Sequence, residues 1–164
     1  MKEMGAAHLK KCDQSILARA NRISEIRWFD HLTHKQTVLL AGYMDSYEAD
    51  QGSTILHEGD SDAHMVLVNS GRVEILKSES QEKTKPVATI GPGDSFGEMS
   101  LIDGQPRSAS AVAITRVSLL MLSREDFTRL SEEDPKLGVT LLFKMAHLMS
   151  QHLRQTTGQL VEHL

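Results

Sequence analysis

Arg107 stands between Pro106 and a run of small residues, Ser108, Ala109, Ser110 and Ala111, inside the stretch FGEMSLIDGQPRSASAVA at 96–113. Small side chains leave backbone N–H groups uncovered, and a guanidinium beside uncovered N–H groups is a trap for an anion. Its planar fork suits the two exocyclic oxygens of a phosphodiester. Ser108 can add a hydroxyl and Ala109 a backbone N–H. Glu98 lies nine positions earlier, in the segment Phe96–Leu101 that follows the turn GPGD at 91–94 and resembles one helical turn whose first N–H groups are free to face a negative group. Glu98 has the wrong polarity for phosphate but the right one for a sugar hydroxyl, and it could also pair with Arg107 and hold it in place. A phosphate and a ribose hydroxyl in one hollow point to a nucleotide. With one guanidinium available, a cyclic nucleotide fits best.

The elements that must position these residues follow from the texture of the chain. From Tyr47 to Ser123, short apolar runs are separated by Gly- and Asp-rich punctuation: QGSTILHEGD, HMVLVNSG, RVEILKS, PVATIGPGD, SASAVA and RVSLLMLS. These are strand-length pieces joined by turn chemistry. In RVEILKS, Val73, Ile75 and Lys77 share one face, a partial alternation, and the charged stretch 78–85 predicts a solvated hairpin tip. No helix of crossover length intervenes, so the strands are expected to pair antiparallel, as a sandwich or barrel. The first thirty residues read as helix, with Ile16, Leu17, Ala20, Ile23, Ile26 and Trp28 at three- and four-residue steps and Asp13 or Ser15 as N-cap. Thr33 precedes a second helical pattern from Gln36 to Met44. Ser123 with Asp126 is a near capping box. Pro135 then suits the first turn of a helix running towards Leu164. The fold class is therefore α+β, mainly β: an antiparallel β-barrel or jelly roll of about eight strands, flanked by N-terminal helices, a short helix and a long C-terminal helix. The expected divisions are 1–44 (helical), 45–123 (barrel, with 96–113 as its binding segment) and 124–164 (C-terminal helices).

Composition narrows the partners. The chain has 164 residues, 40% hydrophobic and 24% charged, an ordinary globular balance. Its net charge of −4 is uneven. Residues 36–135 hold eight Lys/Arg against seventeen Asp/Glu, while both flanks are basic. Such a centre is a poor nucleic-acid surface, so an anion there must be held by local geometry rather than by a general field. The segment MKEMGAAHLKKCDQS lacks the apolar run of a signal peptide, and no stretch approaches the roughly 20 apolar residues that span a bilayer. Cys12 is the only cysteine, which suggests a reducing cytoplasm. His31 and His34 have a helical metal spacing without carboxylate or Cys company. His57 and His64 do not form the tight His-x-His pair of a cupin-like metal enzyme. No metal, cofactor or nucleophile–base pair is expected.

FGEMSL, five residues, then RSASAVA resembles the phosphate-binding cassette of cyclic nucleotide-binding domains, as found in catabolite activator-type regulators, protein kinase regulatory subunits and gated channels. ILHEGDSDAHMVLVNSG is similar to the family's first barrel motif, with Gly59 at its turn and Gly71 closing the following hairpin; Asp62 departs from it, where the family prefers a small residue. The resemblance covers 29–160. It implies Glu98 as the ribose 2′-hydroxyl ligand, Arg107 as the phosphate ligand and Ser108 as its supporting neighbour, with Gly97, Met99 and Ala109 offering backbone groups. An Ala after the Arg goes with adenine in kinase-type domains, whereas a hydroxyl there can help accept guanine. Activator-type domains carry Ser and use the adenine nucleotide. Cyclic AMP is thus expected ahead of cyclic GMP.

In the resembling activator a polar pair on the long helix caps the base, and ungapped matching places His152 and Leu153 there. Leu153 cannot hydrogen-bond, which leaves His152 or Arg154. Two apolar stripes run along this helix, Leu141–Met145–Leu148–His152 and Leu142–Met149–Leu153–Leu160. One suits the barrel and the other the same helix of a second chain. The expected protein is a non-catalytic cytoplasmic sensor, a homodimer through 136–160 acting on an effector not identified by sequence, with no membrane span and no DNA-binding domain. The alternative is a scaffold or dimerisation protein whose barrel has lost its ligand.

Overall fold

The computed structural model describes residues 9–164. Nine strands form two antiparallel sheets. Sheet one, in order β1-β2-β9-β4-β7, comprises Leu9–Cys12, Asp45–Ala49, Val117–Ser123, His64–Ser70 and Ser95–Phe96. Sheet two, in order β3-β8-β5-β6, comprises Thr54–Leu56, Ser110–Ala113, Val73–Ser78 and Thr84–Ile90. Five α-helices accompany them: α1 (Ile16–Ser24), α2 (His34–Tyr43), α3 (Glu98–Asp103), α4 (Arg124–Glu133) and α5 (Pro135–Glu162). The two sheets stack as a jelly roll rather than closing into one barrel.

The apolar runs HMVLVNS and VSLLMLS lack alternation because both faces of their strands are covered. Met65, Leu67, Leu120 and Leu122 point to the helices, joining Ile23, Phe29, Leu40, Leu130, Leu137 and Leu141 in one core. Val66, Val68, Leu119 and Met121 point between the sheets, joining Val73, Phe96, Ala111 and Ala113 in another. The helical layer thus grips the back of sheet one, and the inter-sheet core supports the mouth where Phe96 leads into α3.

Cap chemistry sets the helix starts. Thr33 and Gln36 form a reciprocal capping box at α2. Ser123 Oγ accepts from Asp126 N at α4, and Asp134 accepts from Leu137 N ahead of Pro135 at α5. Gly158 does not interrupt α5, whose 28 residues extend for roughly 42 Å.

The amino-terminal expectation needs correction. Helix α1 covers only Ile16–Ser24, capped by Ser15, and a short 3-10 turn holds Arg27–Phe29. Leu9–Cys12 is a strand on the edge of sheet one, in register with Ser46–Ala49. A four-residue LKKC is too short to show a period of its own, and β2 imposes the strand from outside. The helix expected for 1–8 lies outside the described residues. Among the described residues the strands number nine, in line with the expected jelly roll of about eight.

Candidate functional site

Phe96 enters a turn at Gly97, which adopts φ 83° and begins α3. A Cβ there would lie 2.6 Å from the His64 carbonyl oxygen and 2.7 Å from Nη1 of Arg107, so only glycine lets the chain pass this closely. Glu98, 5% exposed, follows at once as the first residue of α3. The segment with Arg107 is clasped by the loop between β3 and β4. Arg107 N donates to Asp60 O and Gly59 N to Arg107 O, each at 2.8 Å. Glu58 N donates to Ser110 Oγ at 2.9 Å, and Lys77 bridges the Glu58 carboxylate and the Ser108 carbonyl.

Arg107 and Glu98 share one pocket, but they do not pair with each other. The guanidinium, 3% exposed, faces Asp62: Nη2 lies 3.2 Å from Oδ2 and Nε 3.4 Å from Oδ1, while Nη1 donates to the Gly97 carbonyl at 3.1 Å. The Glu98–Arg107 pairing that the sequence offered as an option is not made, and Arg107 pairs with Asp62 instead. The residue that departs from the family's pattern supplies the partner. Burial acts to raise the Asp62 carboxyl, but His64 and Arg107 outweigh it and bring it down to about 2. Glu98 behaves oppositely. Burial pushes its carboxyl up, against the pull of its own backbone N–H, His152 and Arg107. Its Oε2 is buried with no hydrogen-bond partner, and its Oε1 lies 3.7 Å from Nδ1 of His152. A buried carboxylate oxygen without a partner is primed to accept from a hydroxyl.

The pocket has a volume of about 320 Å³, within the range of small-molecule sites. It gathers Gly97, Glu98, Met99, Arg107, Ser108, Ala109 and His152 along its lining. Leu56, Ile75, Ile90 and Phe96 supply an apolar wall suited to a flat aromatic base. Leu153 is not in the pocket; it is 68% exposed on another face of α5, and Arg154 lies beside it. Of the two residues that ungapped matching offered, His152 lines the pocket and Leu153 does not. In its place α5 offers Gln155, Thr156 and Gln159. With His152 these occupy i, i+3, i+4 and i+7, one helical face. That spacing of polar residues was visible in the sequence and was the signal for the face of α5 that lines the pocket.

Comparison with known proteins follows this geometry. A family model described as cyclic nucleotide-binding domain matches residues 47–134. The chain is 35% identical over 132 residues to the cyclic AMP receptor protein of Thermus thermophilus, covering 80% of this chain and 59% of that protein. It is 34% identical over 108 residues to the cAMP-dependent protein kinase regulatory subunit of Aspergillus fumigatus, covering 66% and 25%. The chain thus spans less than two thirds of either relative. Among solved structures, a cyclic nucleotide-binding domain from Methylobacillus flagellatus superposes with a TM-score of 0.82 at 28% identity, covering 96% of this chain and 90% of that one. The Thermus thermophilus catabolite activator protein gives 0.71 at 34% identity, covering 81% and 61%.

Proposed function

The chain belongs to the cyclic nucleotide-binding domain family, and from that premise we propose that it is a non-catalytic, cytoplasmic sensor of cyclic AMP, with cyclic GMP as the weaker ligand. The observation that carries this reading is the placement of a buried guanidinium and a buried, partly unpartnered carboxylate in one cavity of nucleotide size. Of the five N–H donors on a guanidinium, those spent on Asp62 and Gly97 leave two on Arg107 for the exocyclic oxygens of the diester. Ser108 and the Ala109 N–H support them. Glu98 accepts from the ribose 2′-hydroxyl, beside Gly97 and Met99. The base lies on the apolar wall, and Gln155, Thr156 or Gln159 caps it from α5. A glutamine amide presents a donor and an acceptor together, matching the adenine edge. His152 stands at the ribose end, against Glu98, rather than over the base.

In this reading residues 45–123 hold the ligand and 124–164 transmit its presence. At about 100° per residue, the groups that α5 buries (Leu137, Gly138, Leu141, Met145) share a side with its pocket residues. The exposed apolar residues Val139, Leu142, Phe143, Leu153, Leu160 and Val161 fall in a separate sector roughly 100° wide on the other side. An exposed apolar stripe on a helix fits the same stripe of a second copy, giving a homodimer. Ligand contact with one face and dimer contact with the other would couple pocket to interface through a shift in populations. Among the described residues, no helix is long and apolar enough to cross a membrane.

Thermal unfolding with added nucleotide tests the assignment. Cyclic AMP at about 100 times its dissociation constant should add about 2.7 kcal/mol of stability and raise Tm, cyclic GMP less and linear 5′-AMP least. An unchanged Tm with both cyclic nucleotides, in a protein that still dimerises, would select the scaffold reading instead.

A further inference from the structure

His64, the first residue of β4, bears on the anion site although nothing in the binding scheme uses it. Its Nδ1 is buried, lacks a hydrogen-bond partner and lies 3.5 Å from Oδ2 of Asp62. The same oxygen faces Nη2 of Arg107 at 3.2 Å. One carboxylate oxygen therefore stands between a permanent cation and an imidazole, which becomes a cation on protonation. The Gly97 backbone, whose carbonyl holds Arg107, is packed against the His64 carbonyl, so all four residues form one cluster.

We propose that His64 is a proton-linked positioning residue for the cyclic diester: its protonation adds positive charge behind Arg107 and draws on Asp62, so that ligand binds more tightly as His64 gains a proton. The inference rests on the cyclic nucleotide reading above. With His64 neutral, Arg107 and Asp62 cancel, and an incoming diester meets an ion pair without net charge. With His64 protonated the cluster carries one positive charge, and the imidazolium N–H competes with Arg107 for the shared oxygen. Both changes favour the anion, and by reciprocity the bound anion favours the imidazolium. The neighbouring charged groups do not substitute for Asp62. On α3, which packs on β4, Glu98 faces His152 and Asp103 accepts from Gln105 N. On β9, Ser123 stands opposite His64. In the first turn of α4, Arg124 lies against Gly104, and Asp126 is held by Ser123 and Arg129.

Calorimetric titration of the full chain with cyclic AMP at about pH 7.5 and about pH 5.5, on either side of the ordinary imidazole range, reads the coupling. Wild type should bind about fivefold more tightly at the lower pH, the low end of coupling between two sites, and take up a proton on binding. His64→Gln should lose most of the difference between the two values. A thermal melt checks that this variant folds, and His64→Asn is the replacement if it does not. The ring signals of His64 in NMR, resolved from those of His152, should move their midpoint to higher pH when ligand is added. An undiminished pH dependence in the folded variant, or a His64 midpoint indifferent to ligand, overturns the inference alone. Wild type that gives no heat with cyclic AMP or cyclic GMP at either pH overturns the parent reading and this inference with it.

Discussion

At the scale of the residue, Asp62 decides how Arg107 is presented. A guanidinium this buried is tolerated because a carboxylate and a carbonyl take three of its donors, while Arg107 still lines the pocket. The same pairing makes a statement about stability. The Asp62 carboxyl is held at about 2, against an ordinary value of 3.8, so the folded state binds its proton less readily than the unfolded chain does. Its contribution, about 2 kcal/mol at one pKa unit per 1.36 kcal/mol, is fully present above the unfolded value and is lost as pH falls through the folded one. Urea unfolding of wild type and Asp62→Asn should therefore show a stability gap at neutral pH that closes between about pH 5 and pH 2. A gap of the same size at both ends of that window would mean that Asp62 acts by packing and not by charge.

Among the elements, α5 carries the heaviest demand. Its first four turns dock through Leu137, Leu141 and Met145, while every residue from 151 to 164 is exposed. A helical stretch that short, left alone in water, is marginal, and its apolar stripe asks for cover. Leu153→Asp and Leu160→Asp place charges on the stripe but touch neither the docked face nor the pocket lining. Sedimentation should find wild type dimeric and the double variant monomeric, with its melting transition still cooperative. Identical sedimentation of the two proteins would remove the dimer seam from the account. The loop between β3 and β4 is the other decisive element, because its backbone fastens both sides of Arg107.

On the scale of the whole molecule, the sequence was legible wherever a local pattern had one cause. Strand-length runs between turn residues announced antiparallel pairing as a sandwich or barrel, Ser15, Ser123 and Pro135 marked the starts of α1, α4 and α5, and the spacing from Gly97 to Ala109 marked one wall of the pocket. Long-range causes were hidden. Strand β1 exists because β2 offers it an edge. Asp62 meets Arg107 only after the chain folds back across 45 positions. The inward face of α5 depends on a helical phase that gapless matching blurred between His152 and Leu153. Of these, Asp62 fixes the guanidinium of Arg107, the proposed phosphate ligand, in the lining of the pocket. Calorimetric titration of cyclic AMP into wild type and Arg107→Ala, side by side, tests that most directly. Wild type should give saturable heat with one site per chain. The variant, still folded by its melt, should give none. Equal heats from the two proteins would contradict the account at its centre.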